Sequence, residues 1–487
     1  MPRLTHAVVL GAGMAGVLAA SALVHVADAI TIVEQDRLPE RPTHRTGLPQ
    51  ARHAHVLWSG GARAIDQLLP GAIAGLLDAG AHRLGLPADI VFLSAHGWFP
   101  RTHEAQYAIT CTRDLMDWRL REQLRQHQQV TIRDHTKVVG LRGDAKRITG
   151  IRVHDQASDT TEDLDADIVI DATGRGSRSR NWLTELSLPG IDTVREDVID
   201  SGLAYSTRLF RAPAGATTNF PLVTVQPDVP TRGPARAALL VPVEHGRWLV
   251  TLAGTRGAQP PTDETGFAQY ARHGVAHPIV ADLIATARPI TPIHSSHSTA
   301  NRRLYVERLP QWPDGLVMIG DALASYNPIY GHGMAVAAYQ CLALRKGLQS
   351  RGADQGSGRR LQRLVGRALQ HAWDLATSVD IFYPHAGNIV PGRGDRARLA
   401  YVNRVIRAAM EKEHIAAAFF DAITLSTPPT RLASPRVLLG AARAPRVVPR
   451  DASTQPPITA AELRCFQGND YPSPEADRHE PRGQLPR

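Results

Sequence analysis

The sequence predicts an α/β fold: a helix-flanked parallel sheet assembled from separated stretches of chain, an inserted antiparallel β-sheet, and a helical C-terminal region. Three observations predict it. An apolar strand over 6–10 runs into Gly11-x-Gly13-x-x-Gly16, which opens a helix to about Val26 and is followed by the strand AITIVEQ. A second unit of this kind, LVMIG, a turn rich in Gly and Pro, and the helical stretch MAVAAYQCLALRKGL, spans 315–348. Between them the apolar period changes to two, in SGLAYSTRLFR at 201–211 and AALLVPVEHGRWLVTLAG at 237–254. Glu244-His245-Gly246 reads as the hairpin turn inside the latter.

In the first unit, Gly11 permits a tight turn, Gly13 lets a pyrophosphate approach the backbone, and Gly16 lets helix and strand pack closely. Ala12, Met14 and Ala15 supply the intervening backbone, so the helix N-terminus offers free N–H groups to phosphates. Glu34 closes the second strand, where a carboxylate can accept from both ribose hydroxyls. An acid there disfavours a 2′-phosphate, leaving the adenosine of FAD or NAD. The later unit separates those two. Asp321 stands at the end of LVMIG, placed to take a ribityl hydroxyl. Pro328, Gly331, Gly333 and Met334 form a turn into a second helix, whose positive end would stabilise negative charge on a reduced flavin. The reading is FAD.

Together with DATGRGSRSR at 171–180, these units resemble the three motifs of the p-hydroxybenzoate hydroxylase-like flavoproteins, the later one matching their GD motif. One departure stands in the middle motif: Thr173-Gly174 replaces the family's usual Asp-Gly, whose aspartate is tied to handling the pyridine nucleotide. The linkers RTGLPQARHAHVLWSGG at 45–61, CTRDLMDWRLREQL at 111–124 and SYNPIYGHGMAVAA at 325–338 resemble the actinobacterial flavin epoxidases of polyether biosynthesis, the lasalocid and monensin type. That similarity runs from residue 5 to about 443. It implies an FAD-binding Rossmann-like domain of the glutathione-reductase type, with an antiparallel substrate sheet and C-terminal helices. It also implies Arg113 near the pyrophosphate and ribityl chain, and Gln50 in the first linker as a further cofactor contact. The expected domains are 1–85, 105–185 and 300–370 for FAD, 86–104 and 186–299 for substrate, and a helical 371–443. Residues 444–487, rich in Pro and charge, are expected to form a mobile tail.

Composition sets bounds. A chain of 487 residues is too long for one core. Its 51 arginines against four lysines reflect a biased genome, and the net charge of +9 forms no basic run, so no nucleic-acid partner is expected. Cys111, Cys341 and Cys465 form no CxxC, which suits a reducing cytoplasm, and no apolar stretch reaches membrane-spanning length. The N-terminus enters a strand within five residues, which leaves no room for a signal peptide. No metal is expected: His53 and His55 alternate on one strand face and His294 and His297 lie three apart, but no carboxylate or cysteine completes a cluster. A GxSxG elbow, the WxWxIP motif of flavin halogenases and the PxxYxWxFP motif of geranylgeranyl-type reductases are missing.

What remains is oxygen chemistry. Reduced flavin and O₂ give a C4a-hydroperoxide that must stay dry, and an electron-rich alkene can attack its distal oxygen without a protein acid or base. The expectation is a cytoplasmic monooxygenase epoxidising or hydroxylating a lipophilic polyketide or terpenoid. Electrons come ultimately from NAD(P)H, directly or through a separate flavin reductase. Tyr205, Trp248 and Tyr330 are the expected pocket lining, with Pro328 shaping the floor, and no catalytic residue is assigned. A flavin dehydrogenase or reductase, and a non-redox flavin-containing lipophile carrier, are the alternatives.

Overall fold

The computed structural model describes residues 3–213, 215–216, 220–227, 233–353, 356–444 and 455–463. Its first layer is a five-stranded parallel sheet, ordered Leu316–Met318, Ile168–Asp171, Leu4–Leu10, Ala27–Val33, Val130–Arg133. The strands are short, and Leu316–Met318, Ile168–Asp171 and the second half of Leu4–Leu10 are fully buried, as a sheet covered on both faces requires, while the edge strand Val130–Arg133 is partly open. Register brings the functional ends level: Leu10 pairs with both Val33 and Asp171. The helix Met14–Leu23 is buried along nearly its whole length beside that sheet.

Three short antiparallel sheets flank this layer, and a further sheet of eight strands carries the insertion. The large sheet runs Arg288–Pro289, Ala204–Arg211, Arg247–Gly254, Arg236–Val243, Leu222–Val225, Ile90–Ser94, Gly97–Trp98, with His294–Ser296 also pairing Ala204–Arg211. The Glu244–Gly246 turn forms where the sequence places it, and His245 and Gly246 both take positive φ, +62° and +63°. The C-terminal helices Arg393–Glu411 and Glu413–Ile423 pack their apolar stripes, including Val405, Ala408, Phe419 and Phe420, against the open face of this sheet.

One piece of the expected tail joins the body. Arg101 pairs both its terminal nitrogens with Glu462, at 2.8 and 2.9 Å, and also donates to the Pro457 carbonyl. Ile458 packs on the sheet's second core. Composition misses this because one largely buried ion pair and one isoleucine, set among prolines and alanines, do the anchoring. The remaining tail residues, Cys465 among them, lie outside the described residues.

Truncation after residue 454 removes that ion pair and should lower the melting temperature of the flavin-loaded protein by roughly 2–4 °C. Glu462→Gln should account for part of the loss. A truncated protein that melts like the full chain would show that 455–463 contributes nothing.

Candidate active site

The carboxyl ends of the parallel strands open onto a cavity of about 970 Å³ that continues beneath the eight-stranded sheet. Gly11 takes φ +92°, and a Cβ on Gly16 would sit 1.8 Å from the Gly11 carbonyl oxygen, so only glycine lets the helix Met14–Leu23 seat there. That helix has no side-chain cap, and Gly11, Gly13, Met14 and Ala15 line the cavity. Ala12 does not line it; its N–H donates to Glu34 at 2.8 Å. The second helix, Gly333–Arg351, also starts without a side-chain cap, and Pro328, Gly331, Gly333 and Met334 line the same cavity. A Cβ on Gly333 would meet nothing. Two uncapped helix N-termini facing one cavity fit the pyrophosphate and flavin of FAD.

Glu34 is more heavily used than its spacing suggests. Besides Ala12, its carboxylate accepts from the Asp36 N–H and from Arg45, both at 3.0 Å. Asp321 lines the cavity with 39% of its side chain open, and Arg175 stands 3.8 Å away. Burial raises its pKa against the pull of Arg175 and Arg113. Arg113 lies at the start of its helix, holds Asp117 through Nε at 2.7 Å, and lines the cavity, as does Gln50. In the middle motif, buried Asp171 accepts from the Thr173 and Ser179 hydroxyls, both at 2.6 Å, and from Ser177. Arg175 donates to the Ala300 and Tyr326 carbonyls.

On the far side, Tyr205 and Tyr330 line the cavity. Trp248 does not: it is buried with Phe220 and Phe210 in the sheet's other core. Strand period explains the correction, since Thr251 and Ala253 face the cavity while Trp248, Val250 and Leu252 point to the opposite face.

Several residues here are not among the expected site residues. Asp380, buried at the end of the helix Gln370–Asp380, accepts from Tyr330 (2.6 Å), Asn301 (2.7 Å) and Asn327 (2.8 Å). Burial raises its pKa although these bonds lower it. His53 meets the Thr207 hydroxyl at 2.8 Å, and Thr207 meets Thr251 at the same distance. The chamber beyond is apolar, walled by Phe92, Leu222, Leu239, Val405, Phe419 and Ile423. Among the described residues no group of three His, Cys, Asp or Glu could hold a metal ion, and no helix is long and apolar enough to cross a membrane.

A family model described as FAD binding domain matches residues 4–379. Protein Rv3254 of Mycobacterium tuberculosis is 31% identical over 393 residues, covering 78% of this chain and 81% of that protein. Among solved structures, the flavin-dependent brominase Bmp2 aligns with a TM-score of 0.61 at 13% identity, covering 90% of this chain and 100% of that one. The oxygenase of 2-methyl-3-hydroxypyridine-5-carboxylic acid aligns at 0.50 with 15% identity, covering 77% and 88%. At such identities the two structures share the fold.

Asp321→Ala should weaken FAD binding about 10- to 150-fold by removing a charge-assisted hydrogen bond of roughly 1.5–3 kcal/mol; titration of apoprotein with FAD measures it, and wild-type affinity would refute the placement. Acid should destabilise the fold in a defined window. Burial holds His53, His55 and His332 at about 4 against an ordinary 6.5. Between those values the unfolded chain binds protons that the folded chain does not. Stability is therefore full above pH 6.5 and falls toward pH 4, by up to about 1.4 kcal/mol per pH unit for each histidine. Melting temperatures that stay flat across this window would contradict the burial of these rings.

Proposed function

The chain belongs to the FAD-binding-domain family, and on that premise we propose that it is a monooxygenase inserting one oxygen atom of O₂ into a lipophilic secondary metabolite, by epoxidation of an alkene or by hydroxylation. The observation that carries this reading is the continuity of the cavity. Its polar end is lined by the residues expected to hold the cofactor, and its other end is an apolar chamber closed by the helices Arg393–Glu411 and Glu413–Ile423. The missing WxWxIP motif weighs against halogenation.

When bound, FAD supplies the two-electron reduction and the reaction with O₂. Gly11, Gly13, Met14, Ala15 and Glu34 would hold its pyrophosphate and adenosine, Arg113 and Asp321 its ribityl region, and the Gly333 helix start would stabilise negative charge on the ring. The chain's remaining task is physical. Phe92, Leu222, Leu239, Phe419 and Ile423 exclude water and hold the reacting carbon near the cofactor wall. The Asp380 network fixes Tyr330 and Asn327 beside that wall. An alkene needs no more than this orientation.

The electron route follows from Thr173, whose hydroxyl is committed to Asp171 where the family usually has an aspartate. A separate flavin reductase would then serve the enzyme.

Turnover of a polyketide or terpenoid alkene under ¹⁸O₂, with FAD reduced chemically, should give product carrying one labelled oxygen; oxidised product without label would establish a dehydrogenase instead. Anaerobic mixing with NADH or NADPH in the presence of substrate should bleach the flavin slowly. Bleaching at rates of turnover, on the order of 1–10³ s⁻¹, would show direct use of the nucleotide.

A further inference from the structure

His55 belongs to no role described so far, yet its chemistry is fixed by its surroundings. Its Nδ1 lies 2.8 Å from the backbone carbonyl oxygen of His53. A carbonyl only accepts, so Nδ1 carries the proton and donates. Burial and the nearby charge of Arg113 keep the ring neutral. Nε2 is therefore a bare acceptor. The ring lines the cavity, half-buried, and among the described residues no protein donor meets Nε2.

Its neighbour completes the pattern. Arg113 spends Nε on Asp117, and among the described residues its two terminal nitrogens meet no protein acceptor, although the residue lines the same cavity. A bare acceptor and a pair of free cationic donors thus stand together in one wall. That combination suits a ligand segment in which a hydroxyl lies close to a phosphate ester. It does not suit a purely apolar substrate, which would leave both groups desolvated and unpaired. A metal ion is a poor occupant beside the Arg113 cation.

We propose that His55 Nε2 accepts a hydrogen bond from a ribityl hydroxyl of bound FAD, with Arg113 facing the phosphate side of the same segment. His55 is then a cofactor-positioning residue whose backbone bond to His53 fixes the tautomer. The two histidines divide the junction: His55 turns to the cofactor, while His53, held by Thr207 and beside Tyr205, turns to the chamber. The inference rests on the FAD assignment and deepens it.

The test titrates apoprotein with FAD and with three FAD analogues, each lacking one ribityl hydroxyl, using wild type, His55→Phe and His55→Gln. One analogue should bind wild type roughly 5- to 20-fold more weakly than FAD does. That penalty should vanish in His55→Phe, which itself binds FAD more weakly. His55→Gln, which keeps an acceptor, should recover part of the affinity. Wild type that treats all three analogues like FAD, or a His55→Phe protein that keeps the penalty, overturns the assignment while leaving FAD as the cofactor. Wild type that binds no FAD overturns both. Should His55→Phe fail to fold, the wild-type panel stands with ¹⁵N spectra of the imidazoles. These should show the His55 proton on Nδ1 and an Nε2 that shifts when FAD binds; a proton on Nε2 would refute the proposal.

Discussion

The seating of the helix Met14–Leu23 on the end of the strand Leu4–Leu10 is the constraint from which the cofactor wall follows. With the Gly16 Cα position pressed against the Gly11 carbonyl, the helix axis has one allowed place, and its uncapped N-terminus must face the cavity. Register then does the rest. Because Leu10 pairs with Val33 and with Asp171, Glu34 and Ala172 emerge at the same level, and Met318 opposite Asp171 brings Gly320 and Asp321 beside them. Groups more than three hundred residues apart converge through backbone pairing alone. Ligands outside the carboxyl ends of parallel strands are the general outcome of such sheets.

Buried carboxylates tie the remaining parts to this wall. Glu244, in the hairpin turn of the large sheet, accepts from the N–H and hydroxyl of Thr112 and from Arg247, so it fixes the cap of the Arg113 helix. Asp380 does the equivalent for the second helix start, holding Tyr330 and Asn327 from below. Glu34 joins Ala12 to Arg45. In each case a carboxylate gathers neutral or cationic donors from distant segments, a geometry that costs desolvation and returns a single arrangement of the elements it joins.

The legible part of the sequence was the part governed by backbone geometry. Gly11 and Gly16 are required by steric contacts that the spacing alone announces, and the Glu244–Gly246 turn is required by its positive φ values. Asp321 could be placed because it follows a strand by one turn. The rest depends on tertiary pairing that no local pattern encodes. Trp248 fails as a pocket residue because alternation gives two faces without saying which one meets the cavity. Arg45, Asp380 and the Glu462 anchor each find partners more than ten residues away, through side chains of ordinary composition. The sequence presents His53 and His55 as a pair on one strand face; in the structure both precede the strand Val56–Trp58, and Nδ1 of His53 meets the Thr207 hydroxyl while Nδ1 of His55 meets the His53 carbonyl.

The two ends of the cavity are therefore specified by different physics. At the cofactor end, glycines, helix termini and paired carboxylates tolerate few substitutions, because each change adds a Cβ to a close contact or strips a buried charge of its donors. At the apolar end, the walls are Phe, Leu, Val and Ile side chains presented by a sheet face and two amphipathic helices. Apolar walls accept volume-conserving exchange at small cost. A chain can thus hold its cofactor geometry fixed while the roof over the chamber changes its shape. Under the proposed function, substrate choice is accordingly to be sought in the helices Arg393–Glu411 and Glu413–Ile423, outside the motifs that announce the flavin.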